Sequence, residues 1–169
     1  TGVMIPTVSK ISLSNDAAKV EYSTDAGSFK MSLSRDLAPL PLIESVKAIV
    51  DIFASRLMLD DADHINFVRP TGLEVGGDDN GDWFRISGVY TVNNIEHKLI
   101  TGKMRRTDFL MSENQDPDDY PYLLADDEME LVEYVIEKAE EFAKGARAQR
   151  PQLELALEED EEVVEVDEA

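Results

Sequence analysis

Three stretches of this chain carry side chains that could do chemistry, and a fourth carries side chains that could bind. Asp60-Asp61-Ala62-Asp63-His64 groups three carboxylates with an imidazole, a donor set for a hard cation with one nitrogen ligand. Residues 76–82 read GGDDNGD, which resembles a calcium loop only superficially. The ligand spacing is wrong for an EF-hand, and no glutamate stands at the closing position. Lys98, Lys103, Arg105 and Arg106 form the only basic cluster in the linear sequence. They either pair with acidic residues of the following connector or make a small basic face for an acidic ligand. The fourth stretch, residues 152–157, reads QLELAL, with Leu153, Leu155 and Leu157 spaced by two behind Gln152.

The first two stretches have simpler explanations than an ion. Residues 60–64 read as a solvated turn between a helix and a strand. Asn80-Gly81 is a strong hairpin signal and accounts for the glycines and aspartates around it. Of the two histidines, His97 falls on an expected strand, on the same face as Leu99, and reads as structural. Trp83 beside Phe84 reads as core, with an exposed anchor as the alternative. No phosphate-cradling glycine motif is present, and no serine sits in a nucleophile-elbow setting. Carboxylates abound, but nothing marks a pair for acid–base work. No catalytic residue, metal ligand or cofactor is therefore assigned, and the chain is expected to be non-enzymatic. An enzyme with a metal on Asp60, Asp61 and Asp63 is the remaining catalytic alternative.

Charge narrows the partners. The formal net charge is −20, from 16 basic and 36 acidic residues. Residues 152–169 hold nine carboxylates and no Lys or Arg, which leaves −11 for residues 1–151. Such a field repels phosphate backbones, so direct nucleic-acid binding is not expected. It favours basic partners, or proteins that normally hold nucleic acid. Absence of cysteine excludes disulfides, thiolate zinc sites and cysteine nucleophiles, and fits a reducing cytoplasm. No apolar run approaches the roughly 20 residues of a membrane span, and the N-terminal stretch lacks the order of a signal peptide.

The elements that must position these residues follow from periodicity. Residues 8–34 alternate in three short sets, read as a meander of three antiparallel strands. Pro39 and Pro41 mark a helix start, and the wide apolar arc of residues 42–59 predicts a largely buried helix across a sheet. Strand texture returns over 65–106: a short strand at 65–68, a marginal one at 73–75, then a longer strand carrying Phe84, Ile86, Tyr90 and Val92. Gly88 marks a bulge or close approach there, and Asn93-Asn94 a hairpin turn into residues 95–104. A polar connector spans 107–124. Residues 127–147 predict an amphipathic helix, with Leu131, Val135, Ala139 and Phe142 as its stripe. The order strands-helix-strands-helix suggests a pseudo-repeat. It defines an α+β class with antiparallel sheet and two helices packed on one face. Residues 1–151 are expected to form one domain. Residues 152–169 are expected to be a flexible acidic tail, since residues 158–169 repel one another.

Gln152, Leu153, Leu155 and Leu157 resemble the short peptide by which bacterial replication and repair proteins engage the sliding clamp. That resemblance implies a groove that buries the leucines while the glutamine sets register. Each well-buried leucine would contribute about 1.5–3 kcal/mol, less the cost of ordering the peptide. The clamp pattern ends in Leu or Phe, sometimes after one spacer, the place Ala156 takes here. More broadly, the chain resembles a group of small proteins encoded by tailed phages and prophages. The likeness lies in the opening strands, residues 36–41, Ile86-Ser87-Gly88-Val89, and Gly145-Ala146-Arg147-Ala148-Gln149-Arg150 before the leucine peptide. This group implies a phage setting near replication and recombination proteins, and a cytoplasmic location in a bacterial host. The expected function is docking on a DNA-metabolism protein through the C-terminal peptide. The main alternative is an acidic DNA mimic that occupies the nucleic-acid site of a host defence or repair protein.

Overall fold

The protein is described by a computed structural model that places residues 7–79, 81–106 and 123–148. Alternating side chains in β1 (Thr7–Leu13), β2 (Ala17–Thr24) and β3 (Gly27–Ser34) build the expected meander. Its first turn is tied by Ser14, whose backbone amide bonds the Ala17 carbonyl at 2.9 Å. A 3-10 turn at Arg35–Leu37 leads to Pro39, and helix α1 (Leu40–Lys47) begins there. The expected single helix over 42–59 is a bent pair, α1 followed by α2 (Val50–Arg56). The bend contains neither glycine nor proline. Just ahead of it the Ser45 hydroxyl donates to the Leu42 carbonyl at 2.7 Å, a back-bond of the kind that bends helices.

The second half differs from expectation in one respect. Residues 65–67 form a 3-10 turn, and β4 (Val68–Asp78) is one continuous strand where two short ones were expected. Its pairing slips between Pro70 and Gly72, and this bulge blurs the alternation on which strand reading depends. β5 (Gly81–Val92) and β6 (Ile95–Ile100) complete a hairpin through Asn93 and Asn94. Their φ values of 53° and 66° are those of a type I′ turn. A parallel pair, β7 (Arg105–Arg106) with β8 (Leu123–Leu124), precedes α3 (Asp126–Ala143).

The six long strands form one antiparallel sheet in the order β3-β2-β1-β4-β5-β6. This order is symmetric about the β1/β4 seam: each meander runs outward from the seam and then hands over to a helix. The helices cross over. α1 and α2, which follow the first meander, pack on β4 and β5, while α3, which follows the second, packs on β1 and β2. The fold is α+β, as the element order implied. Ile11, Val20, Leu42, Phe53, Leu73, Ile86, Val135 and Phe142 belong to one buried cluster between sheet and helices. Gly88 is required there. A Cβ on it would sit 2.6 Å from Phe53 Cζ and collide with the Arg69 carbonyl, so the close approach of α2 to the sheet depends on its absence. The buried stripe of α3 is Met129, Val132, Val135, Ala139 and Phe142; Leu131, expected to face the core, is 38% exposed.

Candidate interaction surfaces

The expected partner-binding residues Gln152, Leu153, Leu155 and Leu157 lie outside the described residues, as does the connector over 107–122. What the structure places is the segment that leads to them. α3 closes in a Schellman motif: Gly145, at φ 120°, donates to the Phe142 carbonyl at 3.1 Å, and Ala146 donates to Glu141 at 2.9 Å. Arg147 folds back over this end. Its guanidinium donates to the Phe142 carbonyl at 2.8 Å, lies 4.9 Å from the Phe142 ring centre, and reaches Met31 Sδ at 3.9 Å. The Ala148 amide then bonds the Leu37 carbonyl at 2.9 Å. The chain is thus fastened beside the end of β3 only four residues before Gln152.

The sequence-level clusters are dispersed by the fold. Asp61 and His64 meet at 2.6 Å and close the turn over 61–65, with His64 near Tyr90. Among the described residues, no group of three or more His, Asp or Glu side chains is arranged to hold a metal ion. Asp78 pairs with Gly81 where β4 meets β5, and it receives Arg105 at 2.7 Å and Lys103 at 3.8 Å. Arg106 pairs with Glu133 of α3 at 2.9 Å. Three of the four basic residues are therefore engaged with carboxylates of strand and helix. Only Lys98 stands apart, on β6. His97 pairs across from Tyr90 and is exposed. Trp83 is half-buried on the face opposite Phe84, its ring laid over Gly76 and flanked by Arg85 at 5.2 Å and Lys103 at 4.9 Å. A side chain at position 76 would occupy the ring's place, so Gly76 and Trp83 form a matched pair.

Among the described residues, Arg56 is the charged side chain that ion-pairs one helix to another. It is 14% exposed at the end of α2 and donates to Glu128 Oε1 at 2.7 Å and to the Leu123 carbonyl at 2.9 Å. Glu128 also accepts from the Ala125 amide at 3.0 Å, so the same carboxylate caps α3. This is a positioning device for the start of α3.

The surface that residue order conceals is the open face of the sheet. Strand register aligns Lys30, Glu21, Lys10, Glu74 and Arg85 in one row across β3, β2, β1, β4 and β5. Lys19 lies beside this row, and Arg69 and Lys98 flank Val89. A groove of ≈ 340 Å³ runs here, lined by Lys10, Ser12, Arg69, Ser87, Lys98 and Ile100 among others. Arg69 pairs with Glu96 at 3.1 Å and Arg85 with Glu74 at 3.8 Å; Lys10, Lys19, Lys30 and Lys98 take no ion pair among the described residues. The helix side has the opposite sign. α3 carries Asp126, Asp127, Glu128, Glu130, Glu133, Glu137, Glu140 and Glu141 against Lys138 alone. The signal was present in the strands, where Lys10, Lys19 and Lys30 all sit in the polar phase of the alternation. It becomes a surface only once the strand order is known.

No protein-family model, no curated protein and no solved structure matches this chain. Among the described residues, no helix is long and apolar enough to cross a membrane.

Proposed function

We propose that the chain is a non-enzymatic phage or prophage protein whose folded body presents a C-terminal peptide, residues 152–157, to a bacterial replication or DNA-metabolism protein. The sliding clamp is the first partner to try. The observation that carries this reading is the leucine spacing behind Gln152. The fastened lead-in supports it: Arg147 and Ala148 hold the chain at the margin of the body four residues before Gln152. Recognition would rest on burial of spaced leucines, not on charge. Titration of a labelled 148–160 peptide against a bacterial sliding clamp tests it. Micromolar binding that is lost in Leu155→Ala plus Leu157→Ala is expected. Absence of binding at high micromolar peptide, or indifference to both substitutions, removes the clamp.

The acidic outer face of α3 favours a second reading, a DNA mimic whose body competes for the nucleic-acid site of a host protein. The two readings part on salt. Mimicry would weaken steeply as salt rises, whereas leucine docking would hardly change.

A further inference from the structure

We propose that residues 158–169 dock on the open face of the sheet, along the groove lined by Lys10, Arg69 and Lys98. The occupant is chosen by charge. In a chain of net charge −20, this face gathers Lys10, Lys19, Lys30, Arg69, Arg85 and Lys98 against Glu21, Glu74, Glu96 and Asp78, the last engaged by Lys103 and Arg105. Four of those cations have no ion pair among the described residues. Residues 158–169 carry eight carboxylates and no cation, the complementary ligand in extended form. α3, the nearest surface at the point of exit, is acidic and repels them.

Reach permits the contact. The chain is fastened at Ala148 to Leu37, just past the end of the edge strand β3. Residues 149–157 can span about 30 Å when extended, and six strands at about 4.8 Å spacing make a sheet about 25 Å wide. The segment can therefore round the β3 edge and lie across the lysines. Tethering gives it an effective concentration on the order of millimolar, so modest charge attraction suffices at low salt. Backbone-like side chains in the groove, Ser12, Thr71 and Ser87, would offer hydroxyls to the carboxylates beside the charges.

This docking does not depend on the clamp reading and is measured without any partner. The chain has no cysteine, so Val166→Cys allows a single nitroxide on the full-length protein with every carboxylate kept. The expected result is paramagnetic loss of the amide signals of Ser12, Ser87 and Lys98, with the outer face of α3 spared. Raising salt from about 0.05 M to about 0.5 M, which shortens the Debye length roughly threefold, should restore them. Lys10→Glu plus Lys98→Glu should restore them at low salt. If that variant loses its fold, the salt series on the unsubstituted sheet still decides. Signals on the open face that fade no more than those of α3 overturn the proposal. So does the same fading in a mixture of spin-labelled, unenriched protein with ¹⁵N protein that carries no nitroxide, which would mean a second copy supplies the segment. Shifts at these amides on adding oligothymidylate, without fading from the label, would assign the face to nucleic acid and likewise overturn it.

Discussion

On its helix side the sheet presents Ile11, Val20, Leu73 and Ile86; on its other side the same four strands present Lys10, Lys19, Glu74 and Arg85. The first set is at most 1% exposed and is held in place by α1, α2 and α3. The second faces water and is tied down only in part, by the Arg85–Glu74 ion pair at 3.8 Å. A strand of period two thus carries two messages in alternate residues. One specifies the fold through burial. The other is nearly free of folding constraint and can be spent on charge. Here that second message runs against the sign of the whole molecule.

The sharpest way to break this comparison is to substitute each side in turn. Phe53 is wholly buried over Gly88, and Phe53→Ala should cost about 4 kcal/mol, through lost transfer energy and the cavity left behind. Lys10→Gln on the open face should stay within about 0.5 kcal/mol of the parent. Guanidinium denaturation of both variants gives the contrast. Comparable losses would mean that the open face is part of the folding core after all.

A middle case tests whether charge on the helix side is also structural. Arg56 is mostly buried; its Nη2 donates to both Glu128 and the Leu123 carbonyl, and its Nη1 donates to Ser55 Oγ at 2.8 Å. Arg56→Ala should cost about 2 kcal/mol by leaving the half-buried carboxylate and the carbonyl without their donor. Arg56→Lys should recover only part of this, because one ammonium cannot stand at both the Nη2 and the Nη1 positions. A loss near zero would move Arg56 into the same class as the surface lysines.

These contrasts also explain what was legible beforehand. The first meander could be read because its bulge at Val8–Lys10 lies near the start of β1, the pairing of β2 with β3 is unbroken, and the turns carry Asn15-Asp16 and Gly27. β4 was split in the reading because Pro70, Gly72 and Gly76 break the pattern, and only the pairing with β5 shows that they lie on one strand. The bend at Ala48 and Ile49 leaves no composition signal, since neither glycine nor proline stands there and the Ser45 back-bond just ahead of it is not marked in the sequence. Leu131 was misplaced because helical phase is ambiguous where apolar residues stand side by side, and the stripe through Val132 won the core. The basic cluster misled for a further reason. Proximity in sequence put Lys98 with Lys103, Arg105 and Arg106, while the sheet sends it to the company of Lys10 and Arg69. The peptide at 152–157 was legible only as a pattern of leucines, and it lies outside the described residues.

The smallest effect concerns the border between the two chemistries, where α3's acidic face meets its buried stripe. Glu140 lies next to Ala139 on that border, and its pKa is raised above the ordinary value of 4.5. Burial is the main cause; Lys144 acts against it and Glu137 adds to it. A carboxyl that holds its proton more tightly folded than unfolded costs stability when ionised. The cost is full at neutral pH, fades as pH falls through the raised folded value, and is gone below the ordinary carboxylate range. Glu140→Gln should therefore raise the midpoint of thermal unfolding slightly at pH 7, and the gain should vanish near pH 3.5, about where an ordinary glutamate is protonated. Gln keeps the shape, so lost packing is not an alternative source of the difference. A gain that persists unchanged at low pH would trace it to helix propensity instead. A loss at pH 7 would show that the Lys144 attraction outweighs burial, and that the acidic face of α3 stabilises the helix it borders.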